Sequence, residues 1–132
     1  MNIQDLYQIY LSHPVISTDT RICTPDSLFF CLKGESFDGN SFAFKALESG
    51  VAYVVADDPS LIHTQIIIVD NVLHTLQELA HHHRMQLDIP VIGITGTNGK
   101  TTTKELVNTV LKTKYKVVCT KGNLNNHIGV PL

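Results

Sequence analysis

Val91-Ile92-Gly93-Ile94-Thr95-Gly96-Thr97-Asn98-Gly99-Lys100-Thr101-Thr102 is an apolar run that breaks into glycines and ends on a lysine and two threonines. The apolar part predicts a strand over 91–95, and the glycines predict a tight loop over 96–99. From Lys100 to Lys112, Leu106, Val107, Val110 and Leu111 recur on one side, which predicts a helix. Tyr115–Cys119 predicts a second strand. Strand, loop, helix and strand in that order open an α/β sheet. The loop suits a phosphate chain. Glycines let the backbone wrap closely, so that several N–H groups point inward. The helix behind adds the positive end of its dipole. Lys100 supplies a mobile cation for the outer phosphates, and the Thr101 hydroxyl is an oxygen ligand for Mg²⁺. The candidate ATP-binding set is Gly96, Thr97, Asn98, Gly99, Lys100, Thr101 and Thr102, with Lys100 catalytic and Thr101 on the metal. The strict pattern G-x-x-x-x-G-K-[ST] asks for glycine at 94; this chain has Ile94, flanked by Gly93 and Gly96.

Upstream, Ile3, Leu6, Tyr7, Ile9, Tyr10 and Leu11 fall at helical spacing, which predicts an amphipathic helix over 3–12, closed before Pro14. Ser17–Arg21 reads as a loop, Leu28–Leu32 as a strand and Lys33–Asn40 as a loop. Ser41 is the expected cap of a helix through Glu48, closed by Gly50. Val51–Ala56 and Gln65–Val69 lack polar alternation, which suits strands of a parallel sheet buried on both faces. Asn71 caps a predicted helix running to about Leu87, with Leu73, Leu76, Leu79 and Ala80 on one face. Asp88-Ile89-Pro90 breaks that pattern. The expected organisation is a small α/β domain over 1–88 and the incomplete beginning of a P-loop α/β domain over 89–132.

Composition narrows the function classes. The 132 residues are 43% hydrophobic and carry a formal net charge of −2, so a core is available and the basic field of a nucleic-acid binder is absent. Apolar runs are too short to span a bilayer. The N-terminus lacks a basic start and apolar stretch, so a cytoplasmic protein is expected. Cys23, Cys31 and Cys119 read as free thiols. His81-His82-His83 reads as a solvated helix face, because successive helical positions point about 100° apart and do not converge on one ion. Asp57-Asp58 reads as a turn, and His127 as structural.

Around the loop, the sequence resembles the Mur ligases, which build the peptide stem of bacterial cell-wall precursors. Four segments carry the resemblance: Thr95-Gly96-Thr97-Asn98-Gly99-Lys100-Thr101; Ser17-Thr18-Asp19-Thr20-Arg21; Leu28–Gly34 with Phe37-Asp38-Gly39-Asn40; and Gly122–Leu132, reading G-N-L-N-N-H-I-G-V-P-L. The last form is typical of the branch that joins D-alanyl-D-alanine to UDP-N-acetylmuramoyl-tripeptide. The member adding the third stem residue usually has N-T-T-P there.

The resemblance implies ATP-driven amide formation. A substrate carboxylate attacks the γ-phosphate, and the amine displaces phosphate from the acyl phosphate. It implies ATP and Mg²⁺ as cofactors, and a monomer with no membrane span or nucleic-acid partner. It places Thr18, Asp19, Thr20 and Arg21 on the UDP end of the sugar nucleotide, Arg21 being suited to a diphosphate. Asn123, Asn125 and Asn126 would face the sugar or peptide, since amides both donate and accept. The family's chains are several times longer, so the 132 residues alone are expected to be inactive. Asp19 as a plain turn former, Arg21 as a solvated charge and the asparagines as turn residues remain open. So do three other functions: the ligase adding the third residue, a non-catalytic UDP-sugar-binding module, and an unrelated P-loop NTPase. A GTPase would normally offer D-x-x-G downstream, and none is present.

Overall fold

Leu28, Phe29 and Phe30 are almost wholly withdrawn from water and form the middle of a parallel sheet. The computed structural model describes residues 1–120, Gly122, Leu124 and 126–132. Two compact units make up the chain, Met1–Gln86 and Leu87–Pro131.

The first unit is α/β. Strands β1 (Ile16–Ser17), β2 (Leu28–Phe30), β3 (Tyr53–Ala56) and β4 (Ile66–Ile68) lie in chain order, all parallel. The register pairs Phe29 with Val54 and Val54 with Ile66. Burial of Phe29, Phe30, Val54 and Val55 matches the unalternating apolar runs read from the sequence. Each such side chain contributes about 1.5–3 kcal/mol on burial. β1 occupies part of the segment expected to be loop; Ser17 shows too little apolar character to reveal a strand at this sheet edge.

Helix α1 (Ile3–Ser12) is capped by Asn2, whose side-chain oxygen accepts from the Asp5 amide at 2.8 Å. Helix α3 (Val72–Met85) is capped by Asn71, which accepts from the His74 amide at 2.8 Å. Val72, Leu76 and Leu79 form its buried stripe. The two helices pack together. Tyr7 bonds through its hydroxyl to His83 Nδ1 at 3.2 Å, and the His82 ring stands edge-on to Tyr7 at 4.7 Å between centroids. The expectation of a solvated triple-histidine face is therefore corrected: His81 is exposed, while His82 and His83 are half-buried against α1. Their aromatic partners sit 75 residues or so earlier in the chain, where helical spacing gives no hint of them.

Between β2 and β3 the chain passes through a 3-10 turn, Gly39–Phe42, into helix α2 (Ala43–Glu48). Ser41 is not the cap. Asp38 opens the turn by accepting from the Asn40 amide at 2.9 Å, while the Ser41 hydroxyl donates to the Asp38 carbonyl at 2.7 Å. An aspartate three residues earlier satisfies the first free amide before Ser41 can.

In the second unit, helix α4 (Lys100–Lys112) has the predicted span. The flanking strands expected at 91–95 and 115–119 are absent as ladders. A strand needs a neighbour's N–H and C=O row, and neither segment finds one among the described residues. Apolar side chains there stay in water: Val118 is 98% exposed, and Leu106 and Val110 on α4 are also exposed.

Candidate functional site

The second unit contains the glycine loop. Gly96 has φ +152° and Gly99 φ +76°. The Gly99 value lies in the left-handed region, where a side chain strains the backbone. Gly99 is the N-cap of α4 and offers no side chain, so it makes no side-chain cap bond to the first turn. The Thr103 amide closes the first turn on the Gly99 carbonyl at 2.9 Å. Lys100 folds back, its ammonium donating to the Gly96 carbonyl. Thr97, Asn98, Gly99, Thr101 and Thr102 are exposed, and Lys100 is half-buried. A loop bent by two glycines thus leads into an uncapped helix with an ammonium beside it, an arrangement that attracts anionic oxygens.

Beyond α4, Lys104 Nζ donates to the carbonyls of Thr120 at 2.6 Å and Gly122 at 3.0 Å. Asn126 organises the following turn: its side-chain oxygen accepts from the amides of Ile128 at 3.2 Å and Gly129 at 2.7 Å. Its carbonyl is therefore committed to the backbone. Asn123 and Asn125, the other candidates in this stretch, lie outside the described residues.

In the first unit, Thr18–Arg21 leaves the carboxyl end of β1, where open α/β sheets bind ligands. Asp19 organises it. One carboxylate oxygen accepts from the Arg21 backbone amide at 2.9 Å, and the carboxylate also holds Arg21 Nε, at 2.9 and 3.0 Å, and one terminal guanidinium nitrogen. The side-chain hydrogen bond from Arg21, then that from its amide, holds the Asp19 carboxyl down at about 2. The Arg21 side chain is 83% exposed. A guanidinium has five N–H donors, so Arg21, though anchored by Asp19, retains donors for a phosphate. Thr18 and Thr20 are half-buried on either side.

Sequence reading missed a second cluster at the same sheet edge. Lys33, just past β2, reaches Asp57, just past β3, at 2.9 Å. Asn40 donates to the same Asp57 oxygen at 2.7 Å. Partial burial alone would push the Asp57 carboxyl up; hydrogen bonds from Asn40 and Lys33 overcome it and hold the group below the usual carboxylate range. Asp57-Asp58 is thus more than a turn, although Asp58 does accept from the Ser60 amide at 2.9 Å. The available signal was position, since both Lys33 and Asp57 directly follow apolar strand runs. The hollows of this unit lie elsewhere, one of about 210 Å³ being bordered by Asn2, Asp70, Asn71 and His74. Among the described residues, no group of three or more His, Cys, Asp or Glu is placed to hold a metal ion.

Comparison with known proteins covers both units. The family described as "Mur ligase family, catalytic domain" matches residues 14–94, and "Mur ligase middle domain" matches residues 94–132. The UDP-N-acetylmuramoyl-tripeptide–D-alanyl-D-alanine ligase of Bacillus subtilis is 50% identical over 121 residues, covering 89% of this chain and 26% of the relative. A crystal structure of MurF from Acinetobacter baumannii superposes with a TM-score of 0.84 at 30% identity, over 98% of this chain and 31% of that one. MurF ligase from Thermotoga maritima in complex with ADP gives 0.80 at 33% identity, over 88% and 27%. The chain spans about a quarter of the length of the curated relatives it matches.

Proposed function

The chain belongs to the Mur ligase family, and on that premise we propose that it forms part of a longer ATP-dependent ligase joining D-alanyl-D-alanine to UDP-N-acetylmuramoyl-tripeptide. Residues 1–88 hold the UDP end, through Thr18, Asp19, Thr20 and Arg21. Residues 89–132 begin the ATP-binding domain, with Gly96–Thr102 around the phosphates. Asn123, Asn125 and Asn126 face the sugar or peptide. The enzyme acts as a monomer in the cytoplasm; among the described residues no helix is long and apolar enough to cross a membrane.

The chemistry follows from charge. The substrate carboxylate attacks the γ-phosphorus, the bond to the bridging oxygen breaks, and ADP leaves. The amine of D-alanyl-D-alanine then attacks the acyl carbon and expels phosphate. Such transfers depend on positioning and on neutralising charge over the phosphoryl oxygens. Lys100 moves from the Gly96 carbonyl to the phosphate oxygens, and the loop amides orient the chain for in-line attack. Mg²⁺, when bound, supplies further neutralisation. The Thr101 hydroxyl is a hard oxygen donor in the first turn of α4 and fits one position of such an ion.

One observation carries the reading: Gly99, left-handed at φ +76°, starts an uncapped helix directly before Lys100. In the full-length ligase, Lys100→Ala is expected to lower ligation by about 100-fold or more and to weaken Mg-ATP binding. Unchanged ATP affinity and turnover would defeat the proposal. The 132 residues alone, given all three substrates, are expected to release no phosphate. Assaying D-alanyl-D-alanine against a diamino acid separates this ligase from the one adding the third stem residue. The Asn125-Asn126-His127-Ile128-Gly129 stretch favours the former.

A further inference from the structure

We propose that Lys104 is a positioning residue: it ties the carbonyls of Thr120 and Gly122 to α4, immediately ahead of the asparagine-rich stretch that carries Asn126. The inference rests on the reading of that stretch as substrate-facing.

A lysine ammonium has three N–H donors. For Lys104 all three have an acceptor: the Thr120 carbonyl at 2.6 Å, the Gly122 carbonyl at 3.0 Å and Glu105 Oε1 at 3.0 Å. Its side chain is only 16% exposed. A solvated surface lysine keeps its head in water; this one is saturated by protein oxygens. Two of them are main-chain carbonyls two residues apart, so the one ammonium ties both to α4. The turn it holds is a demanding one, with Gly122 at φ +51°.

Lys104 also lies four residues after Lys100, on the same side of α4. One face of this helix therefore carries both a lysine at the phosphate loop and, a turn later, a lysine holding Thr120 and Gly122, just before the stretch read as contacting the other substrate. Helix α4 serves as the common ruler between the two. Local sequence gives Lys104 no such role, because its carbonyl partners are 16 and 18 residues away.

The test uses the full-length ligase carrying Lys104→Met or Lys104→Arg, with each substrate varied in turn. The Met variant is expected to raise KM for UDP-N-acetylmuramoyl-tripeptide by about tenfold while KM for ATP stays within about twofold. The Arg variant, which can still donate to both carbonyls, is expected to restore most of the loss. Hydrogen exchange is expected to quicken over residues 120–126 in the Met variant and to hold over 96–103. Unaltered constants, or ATP and sugar-nucleotide constants rising together, overturn the clamp. If the Met variant does not accumulate, Lys104→Gln, with a shorter donor, is read the same way. A wild-type ligase without D-alanyl-D-alanine turnover defeats the proposed function instead, and the exchange pattern then decides the clamp by itself.

Discussion

Asn40 donates from Nδ2 to Asp57 Oδ1 at 2.7 Å, and the Asp57 amide donates back to Asn40 Oδ1 at 3.3 Å. This two-way pair joins the 3-10 turn before α2 to the end of β3, with Lys33 completing it from the end of β2. Asn40 is 5% exposed, and the Asp57 side chain 11%. Burial of both makes the pair a fastening of the sheet's carboxyl edge, the edge from which Thr18–Arg21 also leaves.

Asn40→Ala removes one donor from the Asp57 carboxylate, leaving Lys33, and takes the acceptor from the Asp57 amide. The expected loss is about 1–3 kcal/mol, the cost of a buried polar group left without a partner. Urea unfolding of the chain measures it. A midpoint within error of wild type would mean that water replaces the amide at no cost.

Acid should loosen the same fastening. Asp57 titrates below its ordinary 3.8 in the folded chain, so its contribution is present above that value and is lost as pH falls through the depressed one. Asp19 is also depressed, but the pair with Arg21 is exposed and salt screens it. In high salt, the stability lost below about pH 3.8 should report Asp57 together with Asp58, which the Ser60 amide also holds below 3.8, and substitution at Asp57 isolates its share. Asp57→Asn is expected to flatten that limb; an unchanged acid limb contradicts the assignment.

Gly39→Ala tests how closely the 3-10 turn approaches β2. A Cβ there clashes with the Leu32 carbonyl oxygen and lies 2.5 Å from the Cys31 carbonyl carbon. Both are backbone atoms with little room to yield, and overpacking of this kind costs about 1–3 kcal/mol. Thermal unfolding should show a clear fall. No fall would place the turn farther from β2 than these distances require.

The parallel sheet was legible because its strands are short apolar runs of one character. Leu28–Phe30 and Tyr53–Ala56 declare burial on both faces; Ile66–Ile68 reads the same way, but at the sheet edge it buries only Ile67 and leaves Ile68 exposed, because no further strand covers it. The helix caps Asn2 and Asn71 were legible as local chemistry, although only Asn71 was read. The glycine loop showed itself through Gly96, Gly99 and Lys100, and the Asp19–Arg21 segment through resemblance. Contacts over long separations stayed hidden. Nothing near Lys33 announces Asp57, and nothing near His83 announces Tyr7. The strands expected at 91–95 and 115–119 failed for the complementary reason: apolar, β-branched residues state a preference, but a ladder needs a second chain segment to answer it.

Cys31 offers a check on the core. Burial pushes its thiol up to about 12, so almost none is thiolate near pH 8 and the sulfur is inaccessible. Alkylation of the native chain should spare Cys31 and reach it only on unfolding. Prompt native-state labelling of Cys31 would contradict the packing of β2's carboxyl end.

Gly99→Ala separates backbone strain from crowding at the phosphate loop. A Cβ at Gly99 meets nothing within 4 Å, so space does not forbid it; the φ of +76° does. Holding alanine in the left-handed region costs about 1–2 kcal/mol. The chain can relieve that strain only by moving the residue that starts α4 and sets the direction of Lys100. With each 1.4 kcal/mol worth about tenfold in affinity, Mg-ATP binding by the full-length ligase should weaken by about 5- to 30-fold. Gly93→Ala is the control, because its Cβ also meets nothing and its φ is not positive, so binding should be unchanged. Equal effects from the two substitutions would remove the left-handed turn from the account of how phosphates are held.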